Sequence, residues 1–195
     1  MEIIAHRRNL IDQLDETPTH YGVEVDLRSQ GDDLVIHHDP YQAGVKYNDW
    51  IARYRHGTLI LNTKEEGLED RLLASMAEHK IEKFFFLDQS FPFLVRTVRR
   101  GEKRCAVRVS EYESVETALT LAGLADWIWI DHFTRWPLTL ADWNRLVDAG
   151  FKLCIGSPEL HGHPIETAIP AVRAILNEWG VSPDVVCTKA PHLWS

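Results

Sequence analysis

Two carboxylates and a pair of histidines stand close together near the start of the chain. Within residues 22–40, Glu24 and Asp26 alternate with Val23, Val25 and Leu27, and an apolar run, Leu34-Val35-Ile36, breaks off into His37-His38-Asp39-Pro40. The alternation has the period of a β-strand. It therefore sends both carboxylates to one face, two residues apart, and the apolar side chains to the other. Paired carboxylates are hard oxygen donors of the kind that suits Mg²⁺ or Ca²⁺. Imidazole is the side chain that exchanges protons near neutral pH. Acids and histidines delivered by adjacent extended segments inside apolar sequence read as an active site that the remaining chain positions.

A chain of 195 residues is long enough for one substantial core and short for two ordinary domains. With 45% hydrophobic and 26% charged residues it has the composition of an ordinary globular protein, which excludes a disordered or low-complexity role. A formal net charge of −8 argues against broad nucleic-acid affinity, which needs a basic face. No apolar run approaches the roughly 18 residues of a spanning helix. The opening residues Glu2-Ile3-Ile4-Ala5 lack the layout of a signal peptide, so cytoplasmic residence is the default expectation. Cys105, Cys154 and Cys187 each sit in an apolar run without Cys-x-x-Cys spacing, the setting of free core thiols.

The elements that must carry the cluster follow a rhythm. Strands are expected at 2–5, 22–28, 58–61, 83–87, 105–109, 127–130, 152–155 and 184–187, most of them separated by helices. The helices are expected at 68–79, 92–100, 114–122, 139–149 and 165–179, with a shorter one at 48–56 and a brief one before His20. Gly150 and Gly180 follow the last turns of two of them, and Pro92 opens another. The later strands are apolar throughout, as strands covered on both faces are. Eight βα units predict a compact α/β (β/α)₈ TIM barrel in one domain over residues 1–195, with an open doubly wound sheet as the rival. In a barrel the strand ends His6, Asp26, Lys64, Asp88, Arg108, Asp131, Glu159 and Lys189 converge on one face. Trp127 and Trp129 are expected to pack in the barrel, and Trp136, Trp143 and Trp179 to anchor helices. His161-Gly162-His163 has metal-tract spacing but falls in a loop, where an incidental role is expected.

In motif order the chain resembles the glycerophosphodiester phosphodiesterase family, within the phospholipase C-like phosphodiesterase barrels. Ala5-His6-Arg7 is similar to the opening of its His-Arg-Gly motif, and Glu24-Val25-Asp26 to its Glu-x-Asp metal pair. Val35-Ile36-His37-His38-Asp39-Pro40 is similar to its apolar-then-His-Asp element, and Val186-Cys187-Thr188-Lys189-Ala190-Pro191 to its closing motif with lysine for aspartate. The likeness spans nearly the whole chain.

The resemblance implies a divalent-metal-dependent phosphodiesterase acting on a small glycerophosphodiester-like molecule. Glu24, Asp26 and Asn62 would hold Mg²⁺ or Ca²⁺, and the ion would neutralise the diester and polarise it toward attack. His6 and His38 would be the acid–base pair, and Arg7 and Lys64 would bind the phosphate. His38 fits this role better than His37, because it directly precedes the aspartate and lies on the opposite strand face from His37. Trp194, after Pro191-His192, would overhang the site and stack on a substrate group. The chain departs from the family at Asn62, where an acid is usual, at Arg8, where glycine is usual, and in its short loops. Those departures keep two alternatives open: a catalytically silent barrel binding a phosphorylated ligand or a protein partner, and a lyase releasing a cyclic phosphate.

Overall fold

The structure, a computed structural model, describes residues 1–195. Its strands are β1 (Glu2–Ala5), β2 (Gly22–Gln30), β3 (Asp33–Ile36), β4 (Val45–Lys46), β5 (Leu59–Thr63), β6 (Phe84–Leu87), β7 (Ala106–Val109), β8 (Trp127–Ile130), β9 (Lys152–Gly156) and β10 (Val185–Thr188). The helices are α1 (Ile11–Glu16), α2 (Tyr47–Ile51), α3 (Glu69–Glu78), α4 (Phe91–Arg99), α5 (Val115–Leu119), α6 (Leu140–Asp148) and α7 (Ile165–Trp179). No helix is long and apolar enough to cross a membrane.

Eight of these strands form a curled parallel sheet. β1 pairs with β2, β2 with β5 and β5 with β6; on the other side β1 pairs with β10, β10 with β9, β9 with β8 and β8 with β7. Between β6 and β7 the contact thins to one bridge, Phe86 to Cys105, with the Phe86 N–H donating to Arg104 O at 2.8 Å. The α/β class and the strand order expected from sequence are present, whereas the expected barrel wall is a ladder everywhere but at this seam. β3 and β4 lie outside the ring, as an antiparallel extension of the far half of β2.

Two apolar cores follow from the period of the strands. One of 39 residues, including Val23, Val25, Leu27, Leu59 and Leu61, lies between the sheet and the helices. The other, of 10 residues including Ile4, Ile60, Phe85, Trp127, Trp129, Cys154 and Cys187, fills the ring. Because β2 and β5 run in parallel register, Glu24 pairs with Ile60 and Asp26 with Asn62, so all four share the inner face. The three cysteines are free and buried, as expected. Trp127 and Trp129 belong to the inner core, and Trp143 to the outer one.

Helix ends are set by local chemistry. α6 begins in a capping box, with the Asp142 N–H on Thr139 Oγ1 and the Thr139 N–H on Asp142 Oδ2, each at 3.2 Å. Gly180, at φ 67°, closes α7 in the left-handed conformation glycine permits. Two boundaries differ from the expectation in ways that matter. β5 runs on to Thr63, which draws Asn62 into the ladder with Asp26. The helix expected at 48–56 is α2, one turn long, because the chain must turn back to deliver Thr58 beside Glu2.

Candidate active site

The C-terminal ends of the strands enclose a cleft of about 370 Å³ lined by His6, Arg7, Glu24, His38, Asn62 and Lys64 on one side. Leu87, Asp88, Arg108, Trp129, Asp131, Leu160 and His161 line the other. Of the strand-end residues expected to converge, His6, Lys64, Asp88, Arg108 and Asp131 line the cleft, and Asp26 lies buried against Lys64. Glu159 is close by but buried. It accepts from Ser157 Oγ, from Thr188 Oγ1 at 2.6 Å and from the Lys189 N–H at 2.9 Å, a strut between β9 and β10.

β2 carries the paired carboxylates on its inner face, 1% and 0% exposed. Glu24 Oε1 accepts from Asn62 Nδ2 at 2.7 Å, and Oε2 accepts from the Arg7 backbone N–H at 2.6 Å. Asp26 Oδ2 accepts from Asn9 Nδ2 at 2.8 Å, and Asn9 Oδ1 in turn accepts the Asp26 N–H at 3.0 Å. Arg7 Nε lies 3.3 Å from Asp26 Oδ2, and Lys64 Nζ 3.3 Å from Asp26 Oδ1 and 2.9 Å from Asp88 Oδ2. Burial, and then the neighbouring charge of Asp26, push the Glu24 carboxyl up to about 7. Lys64 is held charged by Asp88 and Asp26 against the opposing effect of burial.

The histidines differ in setting. His6 is half-buried, its side chain 11% exposed, with Nε2 3.8 Å from Glu24 Oε2 and Nδ1 buried without a hydrogen-bond partner. Burial first, then the cations Arg7, Lys189, Lys64 and Arg8, lower its pKa to about 3. The lysine at position 189, where the family resemblance leads one to expect an aspartate, thus contributes to keeping His6 neutral. His38 is 41% exposed and bonds through Nδ1 to Asp39 Oδ1 at 2.8 Å. His37 lies outside this cleft and bonds to the Asp39 main chain, as its opposite strand face requires.

Two positioning residues carry no motif and were not anticipated. Arg28 donates Nε and Nη2 to His38 O at 3.1 and 2.8 Å and Nη1 to Lys64 O at 3.1 Å, tying the hairpin and β5 to β2. Asn9 clamps Asp26. Arg7 and Asp88 both hold positive φ, 53° and 61°, at the cleft. The turn after β1 therefore falls on Arg7 rather than on Arg8, which takes the place of the resemblance's glycine. Trp194 does not overhang the cleft. It is 2% exposed, packed in the outer core, with its indole N–H on Ser157 Oγ at 2.9 Å, so the expected stacking role is corrected.

The donor set available to a metal is Glu24, Asp26 and the amide oxygen of Asn62. No three His, Cys, Asp or Glu side chains group as a metal site. Nevertheless Asn62 Oδ1 is buried without a hydrogen-bond donor, Asp26 Oδ1 has only the Lys64 ammonium at 3.3 Å, and Glu24 has no lysine or arginine paired with it. Under-satisfied hard oxygens on these three residues fit a hard divalent cation. With a neutral amide in place of a third acid, the site supplies less charge than three carboxylates would.

No family model matches the chain, and no curated protein matches it in sequence. Solved structures do. A glycerophosphodiester phosphodiesterase from Agrobacterium tumefaciens str. C58 superposes with a TM-score of 0.63 at 13% identity, over 99% of this chain and 97% of that one. A glycerophosphoryl diester phosphodiesterase from Parabacteroides distasonis ATCC 8503 does so with a TM-score of 0.66 at 15% identity, over 98% and 84%. The chain has the fold of these enzymes.

Proposed function

We propose that the protein is a phosphoric diester hydrolase acting on a small glycerophosphodiester-like substrate, on a (β/α)₈ scaffold. The observation that supports it best is the convergence of Glu24, Asn62, His6, His38, Arg7 and Lys64 on one cleft edge, with Asp26 buried against Arg7 and Lys64 just behind it, in the fold two such enzymes share.

Glu24, Asp26 and Asn62 would hold a divalent ion of the Mg²⁺ or Ca²⁺ kind, which supplies charge neutralisation and polarisation of the diester. The chain's own groups do the rest. Arg7 and Lys64 meet the non-bridging phosphate oxygens, a forked donor and a point charge respectively. His6 is kept neutral and so is ready to accept a proton from the water that attacks phosphorus. The cations that depress its pKa are offset once an anionic diester binds, which brings it toward the range useful for a base. Asp39 accepts from His38 Nδ1 and so supports the imidazolium form, whose Nε2 proton passes to the departing alcohol and leaves His38 neutral.

The test is hydrolysis of glycerophosphodiesters with Mg²⁺, Ca²⁺ or Mn²⁺ supplied. The expected activity disappears with chelator and falls by roughly 10²–10⁴ in kcat in His38→Ala, the usual worth of a general acid. Phosphorus NMR of the product separates hydrolysis from release of a cyclic phosphate. Inactivity across all three ions sinks the reading. One observation favours a silent binder of a phosphorylated ligand: Lys64 already stands where it neutralises Asp26. Calorimetry decides between them, since binding that needs no metal and persists in Glu24→Gln belongs to the binder.

A further inference from the structure

The far side of the cleft holds a third histidine that the mechanism above does not use. His161 ends a 3-10 turn, Pro158–His161, and its Nε2 bonds to Asp131 Oδ1 at 2.8 Å. That oxygen also accepts the indole N–H of Trp129 at 2.7 Å, and Asp131 Oδ2 lies 3.2 Å from Arg108 Nε. Indole and guanidinium can only donate, so Asp131 meets all three neighbours as an acceptor, and the proton it shares with His161 belongs to Nε2. In neutral His161 that leaves Nδ1 as a lone-pair acceptor. Nδ1 bonds to nothing in the chain and is not among the buried orphaned atoms. The other polar groups on this side are spent on one another: Asp88 on Lys64 and Arg108, and Arg108 on Asp88 and Asp131.

The ring is also held still. It packs on the Phe133 ring at 4.4 Å between centroids. Its turn is rooted by buried Glu159, whose carbonyl accepts the Gly162 N–H at 3.2 Å. Gly156 leaves the room that Asp131 and Trp129 need, since a Cβ there would stand 2.8 Å from Asp131 Oδ1 and 2.9 Å from Trp129 Cζ2. A rigid acceptor beside the apolar surface of Leu87, Leu160 and Trp129 is a place for a short carbon chain bearing an O–H. An ammonium would be the other donor to fit Nδ1, but Arg108 on the same carboxylate disfavours a second cation.

We infer that His161 is a specificity residue, whose Nδ1 accepts a hydrogen bond from a hydroxyl on one alcohol arm of the bound phosphodiester. The inference rests on the phosphodiester reading of the cleft. It makes the enzyme select diesters of polyhydroxy alcohols over diesters whose arms lack a hydroxyl.

His161→Gln tests it, because the glutamine amide can reach Asp131 as Nε2 does while removing the acceptor at Nδ1. The measurement is kcat/KM for glycerophosphoglycerol, which carries hydroxyls and no ammonium, and for bis(4-nitrophenyl) phosphate, which has no hydroxyl arm. The ratio of the two is expected to fall about tenfold in His161→Gln, the worth of one hydrogen bond. Partial recovery is expected in His161→Asn, whose amide oxygen can take the place of Nδ1. An equal loss on both substrates, or no loss on either, overturns the inference. If the wild type hydrolyses neither substrate, the hydrolase reading fails and calorimetry still decides this one. Glycerol 3-phosphate should bind about tenfold tighter than n-propyl phosphate in the wild type and equally in His161→Gln. Equal binding of the two by the wild type overturns it.

Discussion

Glu24 and His6 sit 3.8 Å apart and respond to pH in opposite senses. The Glu24 carboxyl is raised to about 7, so its contribution to stability is full below its unfolded value near 4.5 and is lost as pH rises through 7. His6 is lowered to about 3, so its contribution is full above 6.5 and is lost as pH falls toward 3. The substitution Glu24→Gln isolates the first term. Measured in chelator by urea unfolding, the stability of the variant relative to wild type should rise between pH 4.5 and 8 by on the order of 2 kcal/mol. Curves that stay parallel across that range would mean Glu24 ionises freely and the carboxylate pair is not under strain. At this scale the sequence was informative where a motif names the residue. His6, Glu24, His38 and Lys64 line the cleft, and Asp26 stands buried just behind it. It was silent on Asn9 and Arg28, polar side chains whose partners lie 17, 10 and 36 residues away and which leave no local pattern. Trp194 was misjudged for the same reason. Proximity in sequence to the closing motif suggested the cleft, while Ser157, on the neighbouring segment, draws the indole inward.

At the level of elements, strands covered on both faces write themselves as apolar runs and β2 writes itself as an alternation, which is why all eight ring strands could be read with ends off by a residue or two. β4 could not, because two residues in a loop of mixed composition carry no period. The element on which the site depends most is β9. Its last residue, Gly156, abuts Asp131 and Trp129 on the neighbouring strand, in a packed interior where neither can swing away. Gly156→Ala should cost about 1–3 kcal/mol, the usual penalty for overpacking. It should also alter the near-ultraviolet circular dichroism of Trp129. A variant with wild-type unfolding midpoint and spectrum would show that the contact relaxes freely, and that the Asp131–His161 pair is not fixed by this strand.

Taken as a whole, the molecule is a ring of short strands around a ten-residue inner core, with the histidines His6, His38 and His161 and the charges beside them gathered at one rim. The order of elements fixes which residues meet at that rim; the sequence does not reveal how firmly the wall is sewn. The single bridge between β6 and β7 has a consequence for dynamics. Where the backbone contributes one bridge, the side chains Asp88 and Arg108, one just past β6 and one on β7, clasp the wall at the cleft end. A clasp made of charge yields to ions in a way that a ladder of amides does not. In heavy water the Phe86 amide should therefore exchange roughly tenfold faster than amides of the β1–β10 ladder, and faster still in 1 M salt. Uniform exchange around the ring would disprove this. If the difference is found, the wall has a preferred line of opening, and that line runs out into the cleft between Asp88 and Arg108, so the breathing of the sheet and the width of the site are one motion.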